Sequence, residues 1–521
     1  MEFEIIFMTA RCITIELKNE GIVRTVPYTV WLDGKKLFTS ERTIQSVFGL
    51  MPDTDYVIAL GREGTPVTEK AFHTDKEFVT LNVRDFGAEG DGKKDDTAAI
   101  QAAILCCPPE GRVLVPEGVY CIGALFLKSD LRLELSEGAV LSAFTDYTKY
   151  PILPGLLQGY DEESEYNLGS WEGNPLDSFA SIITGVNIHN VLLYGQGTIE
   201  GNASVENWWK NEGRKKTGGG FRPRTIFLNH CSHVTVQGIR IQNSPSWTLH
   251  PYFSNQTRWI DLDICNPKIS PNTDGMDPES VDGLEVVGVH FSLGDDCIAV
   301  KSGKYYMGST YKVPSRNIEI RQCHMCYGHG SVTLGSEIGA GVRSLYCHDC
   351  IFEDTDRGLR VKTRRGRGRD SVIEDIVFEN IRMSGVLTPF VVNSYYWCCD
   401  PDGKSEYVRC KDPLPVDDRT PVICSLYFRR IEAEDCHAAA AFIYGLPEEK
   451  IGEIEFSDVH IGFADDPQPE YPAMMADVEP CIRKGVMIRN CRKLTLHNVT
   501  VEGALGEEFD LDGIDQLVEE K

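Results

Sequence analysis

The chain has no excess of basic charge: 52 Lys and Arg stand against 78 Asp and Glu, a formal net charge of −26. That balance excludes general binding to nucleic acid or to an anionic membrane, since both partners are polyanions. Long apolar runs are missing too. No stretch approaches the roughly 18 consecutive apolar residues of a membrane span. The opening MEFEIIFMTARCITIELK lacks the pattern of a secretory signal, because Glu2 and Glu4 stand where a basic segment belongs and the apolar run Ile5 to Met8 is short. A cytoplasmic location is the expectation. The glycine-rich GAEGDG is not followed by GK[ST], so it does not read as a phosphate loop.

Cysteine, by contrast, is plentiful. The 18 residues are scattered, with adjacent pairs at Cys106–Cys107 and Cys398–Cys399. In a large chain without a signal they read as reduced, buried small hydrophobes. Cys323/Cys326 and Cys347/Cys350 form two C-x-x-C units and raise the question of zinc, but each pair can equally lie along a β-strand. No metal and no cofactor is expected.

With 521 residues there is room for one large domain and a small one. The first part, residues 1–78, reads as a small β-sandwich. ITIEL, YTVWLDGKKLF and YVIAL alternate apolar and polar residues, and Asp33-Gly34 is a hairpin turn. Leu50-x-Pro52-x-Thr54-x-Tyr56 resembles the tyrosine corner of fibronectin type III sandwiches. After it, Asp95 or Asp96 can cap a helix that places Ile100 and Ile104 on one face.

Residues 79–521 repeat themselves. HVTVQGIRIQN, RWIDLDICNP, GLEVVGVHFS, NIEIRQCHMC, SLYCHDCIFED and EDIVFENIRMS share one form, short alternating runs and then a polar turn. Aligned on Ile241, Ile264, Phe291, Met325, Phe352 and Met383, they recur at 23, 27, 34, 27 and 31 residues. The period inside each unit is two rather than 3.6, so helical repeats are excluded and a parallel β-solenoid is implied.

In such a stack, residues one coil apart in sequence lie about 4.8 Å apart along the axis. Asp274 in NTDG precedes Asp295 and Asp296 in GDDC by 21 and 22 residues, which makes the three carboxylates neighbours on one face. His329 in GHG falls about one coil further on, and Arg360 and Lys362 in RVK about another. Adjacent strand residues point to opposite faces, so Asp295 and Asp296 can share a cleft only if the chain bends at Gly294. From Arg357 to Arg369 there are seven basic residues and no acidic one. RGRGR suggests RNA in isolation, but Arg364 to Arg369 read as a loop rim.

NTDG, GDD, GHG and RVK, in that order, resemble the polygalacturonases, family 28 of the glycoside hydrolases, with Val361 where the family has Ile. The resemblance covers about residues 80 to 500, and its entry segment is similar to that of pectate-lyase-like right-handed β-helices. It implies an all-β, right-handed parallel β-helix that hydrolyses α-1,4-galacturonosyl linkages with inversion. By resemblance Asp295 is the general acid, Asp274 and Asp296 orient and deprotonate the water, and His329 supports Asp295. Glycoside hydrolysis needs one protonated and one ionised carboxyl group, and mutual repulsion in a cluster keeps a proton available. Arg360 and Lys362, i and i+2 on a strand, would clamp a sugar carboxylate. Tyr396, with Tyr395 as its rival, and Asn272 are expected to contact the sugar. Trp208, Trp209, Arg222 and Trp247 are further candidates for cleft walls.

SPSWTLHP at 244–251 and the extra N-terminal module look like the bacterial exo-acting branch. The expected partner is a galacturonate-containing oligosaccharide or pectic polysaccharide. The long segment from Tyr150 to Gly220 reads as inserted loops closing one end of the cleft, hence exo cleavage. Three other readings compete: a rhamnogalacturonan hydrolase, a calcium-dependent lyase whose carboxylates hold the metal, and a non-catalytic carbohydrate-binding solenoid.

Overall fold

A computed structural model describes residues 1–62, 64–159, 165–210, 215–397 and 405–520. The Cys398–Cys399 pair and residues 160–164 and 211–214 of the expected inserted loops lie outside the described residues.

Seven strands between Glu2 and His73 form two antiparallel sheets, one of three strands and one of four. Phe3, Ile13, Ile15, Tyr28, Val30, Val47, Ile58 and Leu60 fill the space between them. Asp33 and Gly34 both take positive φ, 49° and 75°, as a tight two-residue turn between the strands Arg24–Leu32 and Lys35–Arg42 requires. The Tyr56 hydroxyl accepts a hydrogen bond from the Met51 amide at 3.0 Å, tying the strand Asp55–Arg62 to the chain that enters it.

From Thr80 onward the chain is a right-handed parallel β-helix whose coils contribute to three strand stacks. The first stack runs through His189–Gly195, Ser232–Gln237, Asn255–Ile260, Asp282–Val287 and Ser315–Arg321. A second runs through Arg240–Gln242, Asp263–Cys265, His290–Ser292 and His324–Cys326. The third passes through Ile298–Val300, Val332–Gly335, Arg357–Lys362 and Thr388–Asn393. Ile241, Ile264, Phe291, Met325, Phe352 and Met383 are paired in register, coil upon coil, and all are buried. The register read from the sequence is therefore the observed one. Period-two alternation sends these side chains inward and leaves the intervening polar residues outside.

The helix Thr97–Cys106 covers the first coil with Ile100, Ala103 and Ile104. Asp96 precedes it but does not cap it with its side chain. Its buried carboxylate accepts from the Glu89 and Gly90 amides at 2.9 and 3.0 Å, holding the glycine-rich turn, while Asp95 accepts from the Thr97 amide at 3.1 Å.

The span Tyr150 to Gly220 is not one loop. It contains a coil of the solenoid, Ile183–Val186, His189–Gly195 and Thr198–Glu200, with an excursion on either side. The basic run also differs from the expected rim. Arg364, Arg365 and Arg367 are buried, and Arg365 is ion-paired to Glu448 at 2.6 Å, so they present no polyanion-binding surface.

Strands Cys12–Lys18 and Ile44–Phe48 of the sandwich pack on the outside of the first stack. Gln237 donates to Ser46 at 2.7 Å, Gln322 accepts from Val23 and Thr43, and Arg321 pairs with Glu16 at 3.2 Å. Gly238 and Gly288 allow this approach, since a Cβ at either would lie within 2.5–2.6 Å of Phe48 or Ile44 atoms.

Candidate active site

Outward-facing residues of the third stack form the floor of a cleft of about 1180 Å³. On the strand Arg357–Lys362, Leu359 and Val361 point into the core, so Arg360 and Lys362 both point out. Thr333 sits one coil before Arg360, and Ala299 one coil before Thr333. Asp295 and Asp296 lie where the chain bends between His290–Ser292 and Ile298–Val300. The bend answers the geometric objection to neighbouring residues sharing one face. Gly294 is needed there because a Cβ would lie 2.6 Å from the Lys268 carbonyl oxygen.

Asp274, Asp295 and Asp296 bring one carboxylate oxygen each to within 4.8 Å of one another. Asp296 is 1% exposed and saturated with donors. Lys362 Nζ is 2.6 Å from its Oδ2, and Arg360 and the Thr333 hydroxyl donate to Oδ1 at 3.1 and 2.9 Å. Burial alone would raise its pKa, but Lys362 and Arg360 outweigh it and hold the carboxyl below the usual range. Asp274 is the opposite case. Burial, then the neighbouring Asp277 and Asp295, push it well above the ordinary carboxylate value. Asp295 is the carboxylate of the three most open to the cleft. The cluster thus separates into an ionised Asp296 and a proton-holding Asp274, and its proton stays within reach of Asp295.

His329 lines the cleft, but its side chain does not bond Asp295. Its Nδ1 shares a 2.7 Å hydrogen bond with Asp356 Oδ2, and only its backbone amide donates to the Asp295 carbonyl, at 3.1 Å. The bond to Asp356 raises the His329 pKa, with Asp295 adding to it through space. Asn272 lines the cleft and accepts from Arg222 at 2.9 Å. Tyr396 also lines it, with Lys362 Nζ 5.7 Å from its ring centre, whereas Tyr395 is buried in a separate apolar cluster. Of the other wall candidates, Trp247 faces the cleft. Trp208 and Trp209 do not: both are core residues, Trp208 against Phe179 and Tyr150, and Trp209 donating to the Ser244 carbonyl. Arg222 lies beneath the wall, donating to the Pro245 and Pro271 carbonyls.

Several cleft residues were not singled out from the sequence. Trp171 stacks on Phe221 at 4.8 Å and on Trp247 at 6.4 Å, building one end wall. The segment 471–478 builds the opposite wall and places Met474 Sδ 3.0 Å from Arg360. Lys301, which lines the cleft with Glu337, is shared between Glu337 at 3.1 Å and the buried Asp277 at 3.4 Å. One ammonium cannot balance two buried carboxylates. The nearer, Glu337, is held low despite its burial, while burial lifts Asp277 to about 8. Asp277 follows Asp274 by three residues in NTDGMD, and Lys301 follows the GDDC motif, so spacing alone could have marked both.

The three aspartates could embrace a cation, yet Lys362 and Arg360 already supply the positive charge at Asp296. Of the C-x-x-C cysteines, Cys323, Cys347 and Cys350 lie in the solenoid core, and Cys326 lies outside it. The two pairs do not form a four-cysteine site.

A buried, charge-separated carboxylate cluster in the cleft of a parallel β-helix defines a glycoside-hydrolase type of site. The comparisons agree. The model described as Glycosyl hydrolases family 28 matches residues 160–412, and one described as Rhamnogalacturonase A/epimerase, pectate lyase-like, matches residues 80–130. A probable polygalacturonase of Vitis vinifera is 30% identical over 422 residues, covering 79% of this chain and 79% of the relative. An exo-poly-alpha-D-galacturonosidase of Dickeya chrysanthemi is 27% identical over 422 residues, covering 72% of this chain and 67% of that one. The solved family 28 exopolygalacturonase of Yersinia enterocolitica shares the fold, with TM-score 0.69 and 18% identity over 99% of this chain and 98% of that chain. The chain belongs to family 28 of the glycosyl hydrolases.

Proposed function

We propose that this glycoside hydrolase cleaves α-1,4-galacturonosyl bonds of oligo- or polygalacturonate from a chain end. The observation that carries the reading is the pairing of Asp296 with Lys362 and Arg360 on the cleft floor, beside Asp295 and Asp274. A sugar carboxylate entering the cleft meets two cations whose present partner is a catalytic carboxylate. A Lys ammonium and an Arg guanidinium carry three and five donors, so both can bind the substrate while keeping Asp296 in place. As they turn toward the sugar, Asp296 loses part of its compensation and becomes more basic toward a water. Asp274 holds the cluster's proton at rest; Asp295, the more open carboxyl, takes that proton and delivers it to the leaving oxygen, while the attacking water gives its proton to Asp296. Asp274 then helps orient the water, and His329, fixed by Asp356, which raises its pKa, stands beside Asp295. Asn272 and Tyr396 contact the sugar.

End walls favour chain-end attack. Trp171, Phe221 and Trp247 stand at one end of the cleft and residues 471–478 at the other. The test is a time course on polygalacturonate, following viscosity against reducing ends, with products identified by mass. Mono- or digalacturonate should accumulate from the start while viscosity falls slowly. A ladder of mid-sized products with rapid loss of viscosity would mean internal cutting. Activity that disappears in chelator, with an ultraviolet-absorbing unsaturated product, would replace hydrolysis by calcium-dependent elimination. Rhamnogalacturonan is disfavoured as substrate because two cations meet at the cleavage site. The N-terminal sandwich is read as a fibronectin type III-like docked module. A cytoplasmic setting, in which short oligomers are the available substrate, is proposed with this reading.

A further inference from the structure

Outside the cleft, on the second strand stack, two histidines and a cysteine converge from adjacent coils. His290 and His324 are register partners, and Cys326 lies two residues after His324 on the same strand. His324 Nε2 is 3.2 Å from Cys326 Sγ and 2.9 Å from Glu353 Oε2, and the sulfur and that oxygen are 3.9 Å apart. Tetrahedral zinc with bonds of about 2.0 Å to nitrogen and oxygen and about 2.3 Å to sulfur needs donor separations of roughly 3.3–3.6 Å. The three observed separations straddle that range. His290 joins them, since one ligand atom each of His290, His324 and Cys326 fall within 4.8 Å of one another, while Glu353 adjoins that trio through His324 and Cys326. Its Nδ1 bonds Asp263 Oδ1 at 2.9 Å, the carboxylate support that fixes the ring of a metal-binding histidine. The mixed N, S and O set suits a borderline-soft cation rather than calcium. His290, His324 and Asp263 line the roughly 860 Å³ cavity between sandwich and solenoid, which gives an ion a route in.

We propose that His290, His324 and Cys326 form a zinc-class divalent metal site, oriented by Asp263, with Glu353 beside His324 and Cys326 able to complete the shell by a side-chain movement. A metal held there would cross-link the strands His290–Ser292 and His324–Cys326. These run directly into Asp295–Asp296 and His329, so the ion would brace the two coils that present them without touching the cleft.

The test strips the full-length protein with chelator, removes the chelator, and titrates with zinc chloride by calorimetry and with cobalt(II) by absorption. One tight equivalent is expected, with a thiolate-to-cobalt charge-transfer band in the near ultraviolet and a rise in Tm. Cys326→Ser and His324→Gln should each weaken zinc binding at least tenfold, and Cys326→Ser should abolish the band. Asp263→Asn should weaken binding by about 10–100-fold, the usual cost of removing a carboxylate that supports a ligating histidine. Metal-free Tm values near wild type show that these variants fold. Asp274→Asn should bind zinc normally. The proposal is overturned by absence of binding below millimolar zinc. It is equally overturned by binding that survives Cys326→Ser but is lost in Asp274→Asn, which places the ion on the acidic cluster.

Discussion

Lys362 Nζ stands 2.6 Å from Asp296 Oδ2, with the Lys side chain 9% exposed and the Asp side chain 1%. A pair this buried is expensive to break from one side, since the remaining charge has no water to turn to. The sequence-based expectation that Lys362 serves substrate alone therefore understates its role.

Lys362→Met should lower stability as well as binding. Removing one partner of a buried pair costs about 3–5 kcal/mol, with Arg360 placing this case at the lower end. The Asp296 pKa, now held low, should rise, so the acid limb of the kcat/KM profile moves to higher pH. The double variant with Asp296→Asn should recover much of the lost Tm. Equal Tm losses in the single and double variants, with an unmoved acid limb, would separate Lys362 from Asp296.

Asp295→Asn should leave Tm and circular dichroism unchanged and reduce kcat by roughly 10²–10⁴-fold, the range for loss of a general acid. Near wild-type turnover would move that role to another carboxyl, with Asp274 next in line.

The stereochemical outcome is a sharper test. The nearest oxygens of the cluster lie within 4.8 Å, whereas carboxyl groups in inverting enzymes usually stand about 6.5–9.5 Å apart and in retaining ones about 5 Å. Spacing alone points to retention. Retention, however, requires an unencumbered nucleophile, and Asp296 is tied to three donors while Asp274 holds a proton. Inversion is expected, with β-galacturonate as the first-formed anomer by proton NMR before mutarotation. An α-anomer at early times would make one of these aspartates the nucleophile.

Asp277 gives a pH signature. Its folded pKa of about 8 lies above the ordinary carboxylate value, so it contributes stability at low pH that is lost as pH rises from about 4 to about 8. Asp277→Asn should match wild type at or below about pH 4, gain on it steadily as pH rises, and hold a constant advantage above about pH 8, by Tm measured across that range. A constant difference at every pH would mean that Asp277 stays ionised.

Gly288→Ala should destabilise the docked sandwich. A Cβ would meet Ile44 Cβ at 2.6 Å, and the residue has φ of 64°. A loss of about 1–3 kcal/mol is expected for such overpacking, with faster proteolysis between His73 and Thr80. Gly462→Ala, where nothing lies within 4 Å, is the control. Identical behaviour of the two variants would rule out tight packing at this junction.

What could be read in advance was whatever repeats. The pairing of Ile241 with Ile264 and onward to Met383 follows from period-two alternation, and the nearness of Asp274 to Asp295 and Asp296 follows from coil length. What could not be read depends on chain that leaves the repeat. Trp171 and Met474 arrive from excursions whose return paths carry no periodicity, and Trp208 and Trp209 look like wall residues until their excursion folds them inward. The partner of His329 was missed for another reason. Asp356 lies one coil further on, beside an apparently uniform basic run, and only three dimensions show which charge answers which.

Among the described residues, the sandwich is fastened to the middle of the stack, at Gln237, Gly288 and Arg321. A stacked solenoid opens from its unsupported end, because each coil is held mainly by its neighbours. Hydrogen exchange should therefore run as a gradient, fastest in Phe509–Glu520 and Lys484–Glu502 and slowest in Ser232–Arg321. The C-terminal coils can unzip and re-zip many times while the three aspartates stay seated, so damage to that end should erode the cleft's wall at residues 471–478 before it reaches the cleft's chemistry.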